Sequence, residues 1–148
     1  MTTMPEFIQI NDEIAVAMQL FEEDIDRAYD QGFRTIVCNR PDHEEDLEDQ
    51  PLAKTLEDYA LEKGMSFAHI PVDWEGPSIE AVKNTRNVLD SSDGPILAYC
   101  LTGGRSTKLW ALAEAHSGKA SLDDLIDTAS QAGFNISAIR PSLESLAA

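Results

Sequence analysis

The segment AYCLTGGRST, residues 98–107, carries the side chains best suited to chemistry. The thiol of Cys100 and the guanidinium of Arg105 are separated by four residues, and the last two of these are Gly103 and Gly104. Backbone N–H groups in a glycine-containing turn before a helix converge on one point, where they and the helix dipole favour an anion. Glycine also permits the positive φ angles that such a turn needs. The pattern therefore predicts an anion-binding loop.

The polar side chains of this loop suggest how it would act on an anion. Cysteines at helix N-termini beside arginine ionise more readily than free cysteine, so we expect Cys100 to be a nucleophile at neutral pH. The planar guanidinium of Arg105 can donate two parallel hydrogen bonds to a phosphate-like or sulfate-like group. Ser106, expected at the N-cap of the next helix, could donate to the thiolate. A Walker-type phosphate loop is excluded, because Tyr99 and Arg105 stand where it needs Gly and Lys.

The simpler alternative is a tight turn in which Cys100 is only a small buried side chain. Cys38 illustrates that case, because it also ends a predicted strand but is followed by Asn39-Arg40-Pro41, with no glycine. We therefore assign Cys38 a structural role. The combination of thiol, two glycines, arginine and serine favours a functional site at Cys100.

Length and charge limit the classes of protein and partner. The chain has 148 residues, of which 43% are hydrophobic, and this predicts a single domain over residues 1–148. A net charge of -16 repels polyanions, so we expect neither nucleic acid nor an anionic membrane as partner. A small anion could still bind a local positive site. Without a signal sequence or an apolar run of about 20 residues, the sequence predicts a cytoplasmic protein with reduced cysteines.

No metal or other cofactor is predicted. The acidic segment PDHEEDLEDQP, residues 41–51, lacks the ligand spacing and central glycine of an EF-hand loop, so a solvated loop is the expectation. The three histidines are dispersed and lack paired cysteines, so they do not have the spacing of a zinc site.

Short β-rich runs alternate with helical patterns along the chain, which predicts a mostly parallel sheet with helices on both faces, a three-layer α/β fold. Ligands in such sheets bind beyond the carboxyl ends of the strands, where Cys100 lies. Arg40 and Asp42 follow another strand and could line the same cleft or form an ion pair that orders their loop. Predicted strands cover residues 7–10, 14–18, 34–38, 66–72 and 96–99, and predicted helices cover 21–30, 52–63, 79–90, 106–115, 121–132 and a last one from 141.

Several spaced stretches give the chain a resemblance to a known family along almost its whole length. They are GFRTIVCNRPDHEE, HIPVDWEGPS, GPILAYCLTGGRST with the following KLWAL, and AGFNISAIRP. The chain resembles the bacterial phosphatase-like family that also occurs as a domain of beta-lactamase-hydrolase-like proteins. This family is related to tyrosine and dual-specificity phosphatases and is sometimes labelled sulfurtransferase. The resemblance implies a protein-tyrosine-phosphatase-like fold, with Cys100 as nucleophile, Arg105 as oxyanion clamp and Asp73 as general acid, Glu75 being the neighbouring alternative to Asp73.

Two departures from the phosphatase pattern keep other functions open. Typical phosphatases have five residues between cysteine and arginine, whereas only four separate Cys100 from Arg105. The shorter loop resembles that of rhodanese sulfurtransferases. In addition, Tyr99 stands where the superfamily usually has histidine, so a hydrogen bond that tunes the thiolate is missing or replaced.

The sequence thus predicts a hydrolase that acts on a small anionic or phosphorylated substrate. Cys100 would attack phosphorus and form a phosphocysteine, which water would then hydrolyse. The substrate oxygens would be held by Arg105 and by a group of loop residues consisting of Leu101, Thr102, Gly103, Gly104 and Ser106. The alternatives are a sulfurtransferase that carries a persulfide on Cys100, and a module that binds an anion without turnover. A general acid at Asp73 distinguishes the phosphatase, because sulfur transfer needs none.

Overall fold

A five-stranded sheet forms the centre of the structure, a computed structural model that describes residues 6–147. The strands have the spatial order β1-β2-β5-β3-β4, in which β1 is antiparallel to β2 and the other neighbours are parallel. The strands are β1 (Ile8–Gln9), β2 (Ile14–Ala17), β3 (Thr35–Cys38), β4 (Ser66–His69) and β5 (Ile96–Tyr99). The carboxyl ends of the four parallel strands meet at one edge, so the loops that follow β3, β4 and β5 lie there together.

Helices cover both faces of the sheet, as the sequence predicts. Alternate side chains of each buried strand point to opposite faces, so Ala15 and Ala17 of β2 pack on one side while Ile14 and Val16 pack on the other. The first side holds α1 (Glu22–Asp30) and α2 (Ala53–Glu62). The second side holds α3 (Ile79–Ser91), α4 (Gly104–Ser117), α5 (Leu122–Gln131) and α6 (Arg140–Ala147), the last preceded by a 3-10 turn at Ser137–Ile139. The three-layer α/β fold is confirmed.

The largest differences from the predicted elements lie beside the site. The strand predicted over 66–72 ends at His69, although the N–H of Ile70 still donates to Cys38 at the end of β3 and the N–H of Val72 donates to Asn39 just after it. The helix predicted from residue 106 begins at Gly104, because Gly103 takes the N-cap position. Ser106 therefore lies inside the first turn of α4, and its expected place at the N-cap is wrong.

Side-chain caps fix the ends of two other helices. The hydroxyl of Ser78 accepts the N–H of Ala81 at the start of α3, and that of Ser121 accepts the N–H of Asp124 at the start of α5. Within residues 6–147 every helix is too short or too polar to span a bilayer.

Two leucines of α2 provide a test of the packing between this helix and the sheet. Leu56 is completely buried, whereas Leu61 is 53% exposed. We expect Leu56→Ala to lower the free energy of unfolding by about 2–5 kcal/mol, because it leaves a cavity in the core. Leu61→Ala removes the same atoms from the same helix and is expected to change it by less than about 0.5 kcal/mol. Urea denaturation measures both, and equal losses would contradict the packing described here.

Candidate active site

The loop between β5 and α4 holds the thiol of Cys100 inside the protein. Cys100 is completely buried, and its own backbone N–H donates to the carbonyl of Ala17 at 3.3 Å. The backbone N–H of Gly103 donates to the Cys100 Sγ at 3.1 Å. One N–H group of the predicted cradle is therefore directed at the sulfur, where it would stabilise negative charge.

The conformation of this loop depends on glycine at position 103. Gly103 has a φ of 96°, in the left-handed region that side chains disfavour. A Cβ at this position would lie only 3.2 Å from Cζ of Phe134 and 3.5 Å from Cγ2 of Val16. Phe134 belongs to the AGFNISAIRP segment, so that segment packs directly against the loop.

Arg105 is buried and is held by three kinds of contact. Its Nη1 and Nη2 atoms each donate to one carboxylate oxygen of Glu44 at 2.9 Å, and Nη1 also donates to the carbonyl of Val72 at 2.8 Å. The guanidinium carbon lies 3.8 Å from the ring centroid of Trp74, a cation–π contact. Arg105 itself is only 7% exposed.

These contacts leave one edge of the Arg105 guanidinium free. Both Nη1 hydrogens and one Nη2 hydrogen are used, which leaves the second Nη2 hydrogen and the Nε–H. Nε is buried and has no hydrogen-bond partner among residues 6–147. The two free donors are adjacent and parallel, which is the geometry that binds two oxygens of a phosphate-like anion.

Glu44 is the residue of this site that the sequence analysis missed. Its Oε1 also accepts from Nε of Arg40 at 2.8 Å, so the carboxylate lies between two buried arginines. Burial by itself would raise the pKa of Glu44, but the hydrogen bonds and charges of Arg105 and Arg40 outweigh it and hold the pKa below its ordinary value. The signal available in the sequence was Arg40 itself, since an arginine after a strand needs an acidic partner if it is buried.

The rest of the acidic segment has structural contacts. Arg40 is 1% exposed and also donates to Glu45 and Gln19. Asp42 does not join the pocket with Arg105, because its carboxylate accepts the N–H of Ala53 at the start of α2. Among residues 6–147, no group of three or more His, Cys, Asp or Glu side chains could hold a metal ion.

Asp73 lies in the segment that follows β4 and lines the same pocket as Arg105. A pocket of about 190 Å³ is lined by Asp73, Trp74, Thr102, Gly104 and Arg105, among others. The Asp73 side chain is exposed, and its Oδ1 accepts the N–H of Glu75 at 2.9 Å. The structure thus brings Asp73 and Arg105 together at one pocket.

The other predicted residues occupy different positions around this pocket. The pocket is lined by Thr102 and Gly104 of the thiol loop, but not by Cys100, Leu101 or Gly103. Ser106 faces inward, where its buried Oγ has no hydrogen-bond partner and lines a small interior cavity beside Trp110. It therefore does not donate to the thiol of Cys100 in this structure.

Three aromatic residues of the chain differ in their environment. Trp74 is 69% exposed and walls the pocket, whereas Trp110 is a core residue that is 3% exposed. Tyr99 packs with the core on the α1 and α2 side of the sheet, and burial raises its pKa well above the ordinary value. Its aromatic ring therefore belongs to the packing of that layer.

The glycine at position 103 gives the first prediction about the site. We expect Gly103→Ala to lower the free energy of unfolding by about 1–3 kcal/mol, because a side chain would occupy a left-handed backbone position and crowd Phe134. Gly104→Ala is the control, since a Cβ there meets only Oγ1 of Thr102 at an ordinary 3.5 Å. Thermal or urea unfolding measures both. A Gly103→Ala variant as stable as the wild type would contradict the left-handed conformation and the close packing described for Gly103.

Glu44 gives the second prediction, which concerns pH. Because the folded-state pKa of Glu44 is lowered, its ion pairs stabilise the protein at neutral pH, and that contribution is lost as the pH falls through the lowered pKa. We expect Glu44→Gln to lower the free energy of unfolding at pH 7 by about 2–3 kcal/mol. The difference from wild type should shrink in acid.

Glu48→Gln is the matched control, because Glu48 is an exposed glutamate of the same acidic segment. It removes the same charge and should change the stability by less than about 0.5 kcal/mol. Urea titrations between pH 3 and pH 8 make the measurement. A deficit of Glu44→Gln that is independent of pH would show that charge is not the cause.

Sequence comparisons identify relatives along most of the chain. The family described as "Beta-lactamase hydrolase-like protein, phosphatase-like domain" matches residues 6–117. A beta-lactamase hydrolase-like protein of Agrobacterium fabrum is 32% identical over 139 residues, which are 93% of this chain and 31% of that protein. One from Xylella fastidiosa is 24% identical over 131 residues, 88% of this chain and 30% of that protein. The chain thus spans somewhat under a third of the length of these curated relatives.

Solved structures share the fold. A candidate phosphatase from Neisseria meningitidis superposes with a TM-score of 0.79 at 30% identity, covering 95% of this chain and 97% of that one. Tk-PTP in its active form gives a TM-score of 0.75 at 19% identity, covering 95% of each chain. Kinase-associated phosphatase, crystallised with its catalytic-site cysteine replaced by serine, gives 0.70 at 18%, covering 91% and 88%. The last two comparisons concern the fold alone. The chain belongs to the phosphatase-like domain family of beta-lactamase-hydrolase-like proteins.

Proposed function

We propose that this chain is a cysteine-dependent phosphatase, which cleaves a phosphate monoester through a phosphocysteine intermediate on Cys100. The observation that carries the proposal is the free edge of Arg105, where the buried Nε–H has no partner among residues 6–147 and the second hydrogen of the adjacent Nη2 is not used by Glu44. Buried N–H groups without a partner are costly, so a site that keeps them is suited to an oxyanion that supplies the acceptors. Membership of a phosphatase-like family supports the same conclusion.

In the first step, the thiolate of Cys100 attacks phosphorus, and the bond from phosphorus to the leaving oxygen breaks as the S–P bond forms. Arg105 donates two hydrogen bonds to the non-bridging oxygens through Nε and Nη2. Asp73, in its protonated form, gives its proton to the leaving oxygen. The leaving group departs as an alcohol, and the carboxylate of Asp73 remains.

In the second step, water attacks the phosphocysteine. The carboxylate of Asp73 takes a proton from the water, an O–P bond forms, and the S–P bond breaks to return the thiolate of Cys100. The N–H of Gly103 stabilises the charge that returns to sulfur, since it already donates to the Sγ in the free protein. The products are inorganic phosphate and the regenerated enzyme.

This mechanism requires Cys100 to become accessible from the pocket. The thiol is completely buried in the free protein, while Thr102 of the same loop is exposed and lines the pocket. We therefore infer that substrate binding moves the turn at residues 101–102. The energy for this movement would come from the contacts between the phosphate group and Arg105.

Sulfur transfer is the second candidate, and the four-residue spacing between Cys100 and Arg105 is the observation that favours it. A shorter loop offers fewer N–H groups, and among residues 6–147 that of Gly103 alone donates to the sulfur in the free protein. In this reaction the thiolate of Cys100 would attack the sulfane sulfur of thiosulfate, sulfite would leave, and the persulfide would pass its outer sulfur to a thiol or to cyanide. No general acid is needed, so Asp73 would be dispensable.

Two substitutions test the phosphatase proposal on aryl and alkyl phosphates. We expect Cys100→Ser to abolish hydrolysis of both. Asp73→Asn should lower kcat by about 100-fold for an alkyl phosphate, whose poor leaving group needs a proton, and far less for p-nitrophenyl phosphate. Steady-state kinetics on variants shown to be folded make the measurement.

A covalent trap completes the test. Acid quenching during turnover of radiolabelled substrate should leave phosphate on the wild type and on Cys38→Ala. Burial raises the pKa of Cys38 to about 11, so it remains a thiol at neutral pH and is the matched control. Sulfur transfer from thiosulfate to cyanide that depends on Cys100, without hydrolysis of either ester, would overturn the phosphatase proposal. Phosphate binding without either reaction would indicate a binding module.

A further inference from the structure

A second cation borders the pocket, and the proposed phosphatase reaction does not use it. Lys108 follows Arg105 by three residues in α4, so the two side chains begin on the same face of the helix about one turn apart. Both line the pocket of about 190 Å³. The side chain of Lys108 is exposed, which leaves its ammonium group accessible to a ligand.

Lys108 has no acidic partner among residues 6–147, since no carboxylate lies within 4.0 Å of its Nζ. Two other lysines do pair, Lys54 with Asp58 at 2.9 Å and Lys63 with Asp26, while Lys83 and Lys119 also have no salt bridge among residues 6–147. Of the three lysines without a salt bridge among residues 6–147, Lys108 is the one that lines the pocket, so its position is the informative feature.

The charge balance around the pocket points to the same residue. Two arginines, Arg40 and Arg105, are offset by the carboxylates of Glu44 and Glu45. Asp73 also lines the pocket as a carboxylate without an ion pair, and Lys108 is the lining cation of residues 6–147 that has none. An anionic group placed beside it gains attraction without having to displace a carboxylate.

The shape of the surface shows where such a group would belong. A groove of about 510 Å³ adjoins the pocket, and Trp74 and Lys108 line both. Beyond them the groove runs between the segment after β4 and α6, where Ile139 and Leu146 form its wall. A leaving group attached to the bound phosphate would pass Lys108 on its way into this groove.

We propose that Lys108 is a specificity-determining residue, which binds a second anionic group on the leaving group of the substrate. The preferred substrate is then a small phosphate monoester that carries a carboxylate or a second phosphate a few bonds from the scissile one. This inference rests on the proposed phosphatase function. It adds the class of substrate, and it assigns to Lys108 a contact with the leaving group alone.

Three aryl phosphates of similar shape test the proposal kinetically. 3-Carboxyphenyl phosphate and 1,3-phenylene bisphosphate carry the second anion, while 3-carbamoylphenyl phosphate is the neutral counterpart. We expect kcat/KM of the wild type to favour the two anionic esters by about three- to tenfold, after correction for the two equivalent phosphates of the bisphosphate. Lys108→Met should abolish this preference, mainly through KM, and leave the neutral ester within about twofold of wild type.

Lys83→Met is the matched control, because Lys83 is an exposed lysine outside the pocket and its loss changes the net charge equally. It should keep the preference. If Lys83→Met lowers the preference as much as Lys108→Met does, the effect comes from overall charge and the proposal is wrong. It is equally wrong if the wild type does not distinguish the three esters.

A binding measurement separates this proposal from the phosphatase proposal. Calorimetry with Cys100→Ser measures the affinity for the carboxylate and carbamoyl esters without turnover. The carboxylate ester should bind more tightly, and adding Lys108→Met should remove the difference. Failure of the wild type to hydrolyse any ester would overturn the phosphatase proposal, while the binding data would still decide the role of Lys108. Equal affinities would overturn that role even in an active enzyme.

Discussion

A buried positive charge needs a partner, and the site is organised by the way in which Arg105 meets this requirement. Its guanidinium is 7% exposed, so both oxygens of Glu44 and the carbonyl of Val72 take up three of its hydrogens. Glu44 in turn is held by Arg40. The result is a fixed guanidinium whose two remaining donors, on Nε and Nη2, lie on the same edge. A more flexible arginine would have to be ordered by its ligand, at a cost in binding free energy.

The sheet order explains why these residues meet although they are far apart in sequence. β5 lies between β2 and β3, and β4 lies beyond β3. The loops after β3, β4 and β5 therefore share one edge, and they supply Glu44, Asp73 and Cys100 respectively. Each loop depends on the others, because Val72 bonds through its N–H to Asn39 and through its carbonyl to Arg105.

The thiol loop shows a similar dependence on remote packing. Gly103 adopts a left-handed conformation that directs its N–H at the sulfur, and Phe134 packs close to the place where a side chain would be. The part of the chain that follows α5, residues 132–147, thus helps to define the loop through Phe134, although it supplies no reacting group. The same segment forms one wall of the groove beyond Lys108, through Ile139 and Leu146. Shape at the pocket and stability of the fold are therefore coupled through this part of the chain.

The sequence by itself determined the layers of the fold and the position of the thiol loop, because these follow from local patterns. Alternating apolar residues, glycines at turns and serine caps act within a few residues of each other, and the predicted strand over 96–99 matches β5. The predicted start of α4, at residue 106, was two residues too late. Gly103 takes the N-cap position in a left-handed conformation, and the residue types alone do not determine whether a glycine adopts that φ angle.

Only the tertiary structure decided the electrostatic partners. Glu44 stands in a run of acidic residues that resembles a solvated loop, and no local pattern distinguishes it from Glu48, which is exposed. The pairing of Glu44 with Arg105 spans 61 positions and exists because the sheet brings two strand ends together. The orientation of Ser106 toward the core was likewise set by packing beside Trp110. Residue types limit the chemistry that is possible, but burial and distance, which depend on the whole fold, determine which charges meet.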